Sequence, residues 1–313
     1  MAFEITKIKY TGKVKEVKIG TGPKEITIGG ENSYPFYSFE GEMPNLPRVA
    51  FEVWDHEPKE WQPWAIEPFA DVIDDSVAWA KKCVDTYGAE IIALQLKSAD
   101  PNGMNRDVEE VALVVKGVVD VIDVPLIIWG TEDEEKDIVL LRRVAEICEG
   151  KKVAIGPVTE KNYKQIGAMA IAYNHVVLAS SPIDVNLAKQ LNILLGNLGV
   201  SDENIAIDPT TGGLGYGLEY TYSVMERDRM AALTQEDVKL QHPIICNLAN
   251  EVWKTRETRL TKEEEPRLGD EKKRSVLMEA VAAMSLFLAG ADVAIMRHPD
   301  SVSLVKDMVK ELA

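Results

Sequence analysis

The stretch with the most chemical potential is residues 205–222, IAIDPTTGGLGYGLEYTY. A β-type run ends in Asp208-Pro209, and Gly212, Gly213, Gly215 and Gly217 follow before a helical pattern begins. Glycine reaches backbone angles closed to other residues and lets a ligand approach the main chain. Free amides at a helix start favour anions or carbonyl groups. Asp208 is placed to act as an acid or base. It is somewhat better suited to start the turn, its carboxylate accepting nearby amides. GGLGYG is no dinucleotide fingerprint: it comes late in the chain, and no acid follows a second strand at the required distance.

Other chemical groups are sparse. Cys83, Cys148 and Cys246 are spaced without a CxxC. No zinc or iron–sulfur site is expected from this chain alone, and free thiols fit a reducing cytoplasm. Ser180-Ser181-Pro182 has no histidine with a reason to lie near, so no activated nucleophile is visible. Asp100-Pro101-Asn102-Gly103 reads as a turn of the same kind as that at Asp208.

These groups must be held by a regular frame. From Arg48 onward a unit of β-run, polar turn and amphipathic helix repeats. The β-runs are residues 49–54, 90–96, 126–129, 153–158, 176–179, 205–207, 244–248 and 293–297. The helical segments are 72–87, 108–121, 134–149, 163–173, 185–198, 219–233, 272–289 and 301–312, several stopped by glycine. Strict alternation implies a parallel sheet with helices outside, and eight units imply a closed (β/α)₈ TIM barrel, an α/β fold, over residues 48–313. A doubly wound open sheet is the alternative. Residues 1–47 form an N-terminal β extension expected to pack on the barrel. It reads as short strands over residues 7–16 and 18–28 around Gly20-Thr21-Gly22-Pro23, the second ended by Gly29-Gly30, with an aromatic segment at 34–39.

In such barrels the loops after the strands form the working face. His175 and His242 precede their strands. His56 and His298 follow the first and last, without a third ligand, so no metal site is expected. Trp54, Trp61, Trp64, Trp129 and Trp253 fall on the working face and suggest an apolar ligand surface or a protein interface, with some folding back to cover the mouth. Asp55, Asp100 and Glu160 share that face with Asp208. Residues 249–274 form an oversized loop of mixed charge, readable as a solvated helix or as a docking arm.

The net charge is −16, which excludes nucleic acid and anionic membrane as natural partners. No run of 18 apolar residues occurs, and residues 1–17 lack a secretory core, so a cytoplasmic protein is expected.

Several pieces in order, FEGEMPNLP at 39–47, EPFADVI at 67–73, WAKKC at 79–83, SPIDVN at 181–186, KQLNIL at 189–194, DP with GGLGYG at 208–217 and MRHP at 296–299, resemble the small, delta-type subunit of the corrinoid iron–sulfur protein of the acetyl-CoA pathway. The resemblance implies a TIM barrel paired with a large subunit that carries a [4Fe–4S] cluster and a corrinoid domain. The corrinoid, of cobalamin type, would lie between the two. Its cobalt would take a methyl group from a methyltetrahydrofolate methyltransferase and hand it to acetyl-CoA synthase/CO dehydrogenase; a reductive activator of the corrinoid is a further implied partner. The barrel is read as a cap and scaffold with no catalytic residue of its own. The alternative is a pterin-dependent methyltransferase active through Asp208, against which stands Trp129-Gly130, a third strand end without an amide side chain.

The residues expected at the corrinoid are Asp208, Gly212, Gly213, Leu214, Gly215 and Tyr216. Asn186, Gln190 and Asn247 at neighbouring strand ends, and Arg297 after the last strand, complete the set. Backbone amides of the glycine turn and the Asn and Gln side chains would meet corrin amides.

Overall fold

The computed structural model describes residues 5–313. The repeated β-runs become eight parallel strands: β3 (Arg48–Trp54), β4 (Ile92–Gln95), β5 (Leu126–Trp129), β6 (Ala154–Val158), β7 (Val176–Ser180), β8 (Ile205–Asp208), β9 (Ile245–Asn247) and β10 (Val293–Met296). They pair in the order β8-β7-β6-β5-β4-β3-β10-β9. The circle closes where the Ile207 amide donates to the Pro243 carbonyl at 2.8 Å beside the Ile207–Ile244 bridge. The closed TIM barrel expected from the alternation is therefore present, with strand ends within two residues of the expected runs.

Outside the strands lie α2 (Ser76–Asp85), α3 (Val108–Val121), α4 (Glu134–Ile147), α5 (Tyr163–Tyr173), α6 (Val185–Leu198), α7 (Leu218–Thr234), α10 (Glu271–Ala289) and α11 (Pro299–Leu312). Aspartates begin many of them. Asp75, Asp107, Asp133, Asp184 and Asp270 each accept an amide of the first turn of α2, α3, α4, α6 and α10. Such caps satisfy donors that the helix cannot. The cap at Asp75 is why α2 begins there and not at Val72.

The short helices α1 (Pro63–Ile66), α8 (Ala249–Trp253) and α9 (Arg256–Arg259) lie in the loops after β3 and β9. The long loop at 249–274 is neither one solvated helix nor a free arm. Arg274 pins it, donating to the carbonyls of Glu257 at 2.6 Å, Leu268 at 3.1 Å, Gly269 at 3.2 Å and Leu260.

The opposite end of the barrel is plugged by the N-terminal hairpin, β1 (Val17–Ile19) with β2 (Ile26–Ile28). Its Val17, Ile19, Ile26 and Ile28 join one buried cluster with the inward residues Ala50, Ala93, Ile127, Ala154, Leu178, Ala206, Ile245 and Ile295. The sequence suggested a longer first strand. Residues 7–16 instead run as an irregular strap, because their amides find partners on the barrel: Gly12 bonds Leu233 at 2.9 Å and Lys15 bonds Gln241 at 2.8 Å.

A buried cation fastens the extension to the barrel. The Arg229 guanidinium on α7 is fully enclosed, 2.6 Å from Asp292 and 3.1 Å from Glu31 of the extension. It also donates to the carbonyls of Gly290 at 2.6 Å and His242 at 3.0 Å. Burial, with Asp292 nearby, pushes the Glu31 carboxyl up to about 7, although Arg229 pulls it back. Removing the cation leaves two buried acids without their partner. Arg229→Ala is expected to cost about 3–5 kcal/mol in urea unfolding; a loss below about 1 kcal/mol, the range of exposed pairs, contradicts this account of the clamp.

Candidate functional site

Strand side chains alternate, so the residue two places beyond each inward apolar one also points into the barrel, one layer nearer the mouth. Ala50 is followed by Glu52, Ala93 by Gln95, Leu178 by Ser180, Ala206 by Asp208, Ile245 by Asn247 and Ile295 by Arg297. The apolar interior thus ends in a polar layer, whose members satisfy one another in pairs. The Gln95 amide donates to Asn247 Oδ1 across the barrel at 2.9 Å. The Ser180 hydroxyl donates to Asp208 Oδ2 at 2.6 Å. Arg297 Nε donates to Glu52 Oε2 at 2.7 Å.

Asp208 is the chemically unusual member. It is 2% exposed, and burial pushes its carboxyl up to about 7 despite the Ser180 bond and a Thr210 amide at 3.1 Å, with the Glu132 charge adding to the rise. A carboxyl so placed donates or accepts a proton near neutrality. It is also the turn-forming acid: the Thr210 bond is the local contact that Asp-Pro suggested. Asp208, Ser180, Thr211 and Asn247 line a pit of about 190 Å³.

Beside the pit lies a cavity of about 280 Å³ bounded by Trp54, Trp61, Trp253, Lys97 and Arg297. The Arg297 guanidinium carbon is 3.5 Å from the centre of the Trp61 ring and within 6 Å of Trp54 and Trp253. Glu52 also accepts the Trp54 indole N–H at 2.9 Å. Glu279 holds the Arg297 and His298 amides at 2.6 and 3.1 Å. The tryptophans were expected to offer a ligand surface. Trp54, Trp61 and Trp253 do lie at the mouth, but each is buried, packed on neighbouring rings or around Arg297; Trp129, also buried, lines the pit and donates to Glu132 at 3.1 Å, and Trp64 is the partly exposed one and donates to Ser275 at 3.1 Å. Cation–π contact and mutual packing consume the faces of Trp54, Trp61 and Trp253.

The glycine turn is mostly self-supporting. A Cβ on Gly212 would meet the Gly217 carbonyl group at 2.5 Å, and one on Gly213 would meet Glu251 O at 2.8 Å. Both glycines are buried and serve close backbone packing, Gly213 against α8. The Thr221 hydroxyl locks the turn, accepting from the Gly212 amide at 2.9 Å and donating to Thr210 O at 3.0 Å. Gly215, at φ +77°, faces open space, and Tyr216 is 54% exposed beside it.

The expected residues therefore separate. Asp208 and Asn247 share the pit, Arg297 bounds the cavity next to it, and Gly215 and Tyr216 stand on the rim. Leu214 turns outward against Leu268 and Leu277 of the loop and α10. Asn186 and Gln190 are exposed on the first two turns of α6, not at a strand end. Glu52, Gln95 and Ser180 were missed. Their signal was a polar residue inside, or just closing, an apolar β-run.

His56 Nδ1 is 3.2 Å from Asp55, and His298 is buried under Trp253. Among the described residues no three His, Cys, Asp or Glu side chains gather as a metal site.

A family model described as CO dehydrogenase/acetyl-CoA synthase delta subunit matches residues 16–309. The acetyl-CoA decarbonylase/synthase complex subunit delta of Methanopyrus kandleri is 38% identical over 96% of this chain and 76% of its own length. The subunit of the same name from Archaeoglobus fulgidus is 34% identical over 99% and 71%. Among solved structures, Xanthomonas albilineans dihydropteroate synthase in complex with indole-2-carboxylic acid and 6-chloroguanine superposes with a TM-score of 0.60 at 14% identity, over 95% of this chain and 99% of that one. Thermus thermophilus dihydropteroate synthase in complex with 4-aminobenzoate gives 0.56 at 15% identity, over 90% and 99%. At such identities the likeness is one of fold.

Two substitutions test the site's construction. Asp208 keeps its proton up to about 7 when folded, against an ordinary 3.8. The folded chain then binds more protons between those values, and stability falls as pH rises through them. Asp208→Asn is expected to flatten that fall, so its melting temperature relative to wild type is higher at pH 8 than at pH 5; an equal difference at both refutes the buried-acid account. Gly213→Ala must displace α8 and is expected to cost about 1–3 kcal/mol in denaturant unfolding, whereas Gly215→Ser, facing open space though at positive φ, should cost less.

Proposed function

The chain belongs to the CO dehydrogenase/acetyl-CoA synthase delta subunit family, and from that membership we propose that it is the barrel subunit of a corrinoid iron–sulfur protein, covering a corrinoid held by a larger partner. Its relatives are named as subunits of an acetyl-CoA decarbonylase/synthase complex, which makes partner subunits a family property. On this reading the large subunit supplies the corrinoid domain and the [4Fe–4S] cluster. The methyl group arrives from a methyltetrahydrofolate methyltransferase and leaves to acetyl-CoA synthase, and a reductive activator restores the cofactor.

The observation that carries the reading is the shape of the mouth. Its polar layer is internally paired, and most of its tryptophans are packed over the barrel, so what remains is two small cavities and, towards the loop after β9, an open groove, all under a broad rim. A corrin with its amide side chains is far larger than either cavity and fits only across the rim. There Tyr216, Thr210 and the main chain at Gly215 are exposed to it. The corrinoid, when bound, supplies a cobalt that carries the methyl group. This chain excludes water from that face and offers the turn's polar groups to the corrin amides; Asp208, Asn247 and Arg297 support the rim from below. Cys83, Cys148 and Cys246 are each buried as free thiols.

A second reading rests on Asp208. A carboxyl that keeps its proton to about 7, with Ser180, Thr211 and Asn247 around a 190 Å³ pit, offers the hydrogen-bonding edge that a flat heterocycle such as a pterin requires. Of the pit's two amides, however, Asn247 is spent on Gln95, and the Asn250 side-chain carbonyl accepts from Arg297 at 3.4 Å.

Co-expression with the presumed large subunit separates the readings. The capping reading expects the two chains to co-elute and the corrinoid to be lost on Tyr216→Glu more readily than from wild type; chains that elute separately sink it. Calorimetry of this chain alone with methyltetrahydrofolate should show no binding, whereas micromolar binding abolished by Asp208→Asn replaces the cap with an independent methyltransferase.

A further inference from the structure

The largest hollow at the mouth belongs to neither the pit nor the tryptophan cavity. It is a groove of about 880 Å³ between the glycine turn and the loop after β9. Tyr216 forms one wall. Lys254, Arg256 and Arg259 form the other, with Glu251 and Glu264. That volume lies in the range of small-molecule sites.

Its charge runs against the rest of the molecule. The chain carries 51 acidic against 35 basic residues. Within the groove the acids are already engaged. Glu251 pairs with Lys254 at 2.6 Å. Glu264 accepts the Thr261 amide at 2.8 Å and its hydroxyl at 3.1 Å, which hold its carboxyl below the usual range. Behind the groove Glu265 is forked by Arg267 at 2.7 and 2.9 Å, with Arg256 also drawing its carboxyl down, and Glu257 lies between the two arginines on α9. Arg256 and Arg259 have no carboxylate within 4 Å among the described residues.

The turn that carries the two arginines is also fixed. They sit one turn apart on α9, hence on one side of it. Buried Thr255 and Thr258 tie that turn to the Val252 carbonyl at 2.8 and 3.2 Å. The facing wall is set by Gly213, whose packing on Glu251 leaves no room for a side chain and so fixes the spacing of turn and loop. Tyr216 then presents an exposed ring across the gap.

We propose that this groove binds a nucleotide-type ligand, with Arg256 and Arg259 on phosphate oxygens and the Tyr216 ring stacked on the base. Guanidinium forks match phosphate geometry, and an exposed aromatic face stacks on a base whatever its identity. The proposal goes beyond the corrinoid reading; the two are alternatives at the Tyr216 ring, so the test uses this chain alone, with no corrinoid to compete for it.

The test is titration calorimetry of the full chain with ADP, pyrophosphate and adenosine. Wild type is expected to bind ADP more tightly than either fragment, and less tightly as salt rises. The double variant Arg256→Ala/Arg259→Ala should weaken ADP about tenfold or more. Tyr216→Ala should weaken ADP several-fold and leave pyrophosphate unchanged. All three side chains lie at the surface, and circular dichroism should be unaltered. No binding of ADP at about 1 mM, where affinity is at the weak limit, overturns the proposal, as does undiminished binding by the double variant. Pyrophosphate binding as tightly as ADP, with Tyr216→Ala silent, leaves an unspecific anion patch only and overturns the nucleotide assignment.

Discussion

Everything at the mouth depends on one constraint: a closed barrel admits a single inward side chain per strand at each level, and those side chains must satisfy one another. Below, the constraint is met with Ala, Val, Ile and Leu against the hairpin plug. One layer higher the inward positions are Glu52, Gln95, Ser180, Asp208, Asn247 and Arg297. In a space with little water an unpaired member would carry its full desolvation cost. Pairing across the barrel, between β4 and β9, and along it, between β7 and β8 and between β3 and β10, resolves this. The pairing also spends the very groups that a ligand would use, which is why a polar interior makes a shallow site.

The frame was legible because it repeats. Eight alternating units and their glycine stops required only hydrophobic periodicity, and the closed circle followed from the count. The site was legible in part. Asp208, Asn247 and Arg297 came from strand position alone, since a strand end has a defined direction. Gln190 failed for the complementary reason: past a helix cap such as Asp184, direction turns with every residue, and the side chain leaves the mouth within two turns. Gly212 and Gly213 look from sequence like a cradle, because a glycine spared for a ligand and one spared for neighbouring backbone are written alike. Only the position of Glu251 tells them apart. The tryptophans illustrate the same point for aromatics, whose faces were taken by Arg297 and by one another.

The long loop after β9 gives the mouth its asymmetry. On the β9 side it raises a wall of cations and thereby sets apart one sector of an otherwise acidic molecule. On the β5 side the rim carries Glu132, held by Asp137, which accepts both the Thr131 and Glu132 amides. Glu132 in turn lies 3.6 Å from Lys97, so this side of the rim carries a paired charge, unlike the arginines of the β9 side.

The pair that joins Glu52 to Arg297 spans 245 residues and stitches the first barrel strand to the last. Until β10 has emerged during synthesis, Glu52 has no cation, Trp61 has no guanidinium on its face, and the opening between β3 and β9 exposes the interior. The rim is therefore complete only when the first and last strands of the barrel are side by side. A chain cut short of β10 would leave Glu52 a buried acid without its cation and the interior open along one seam.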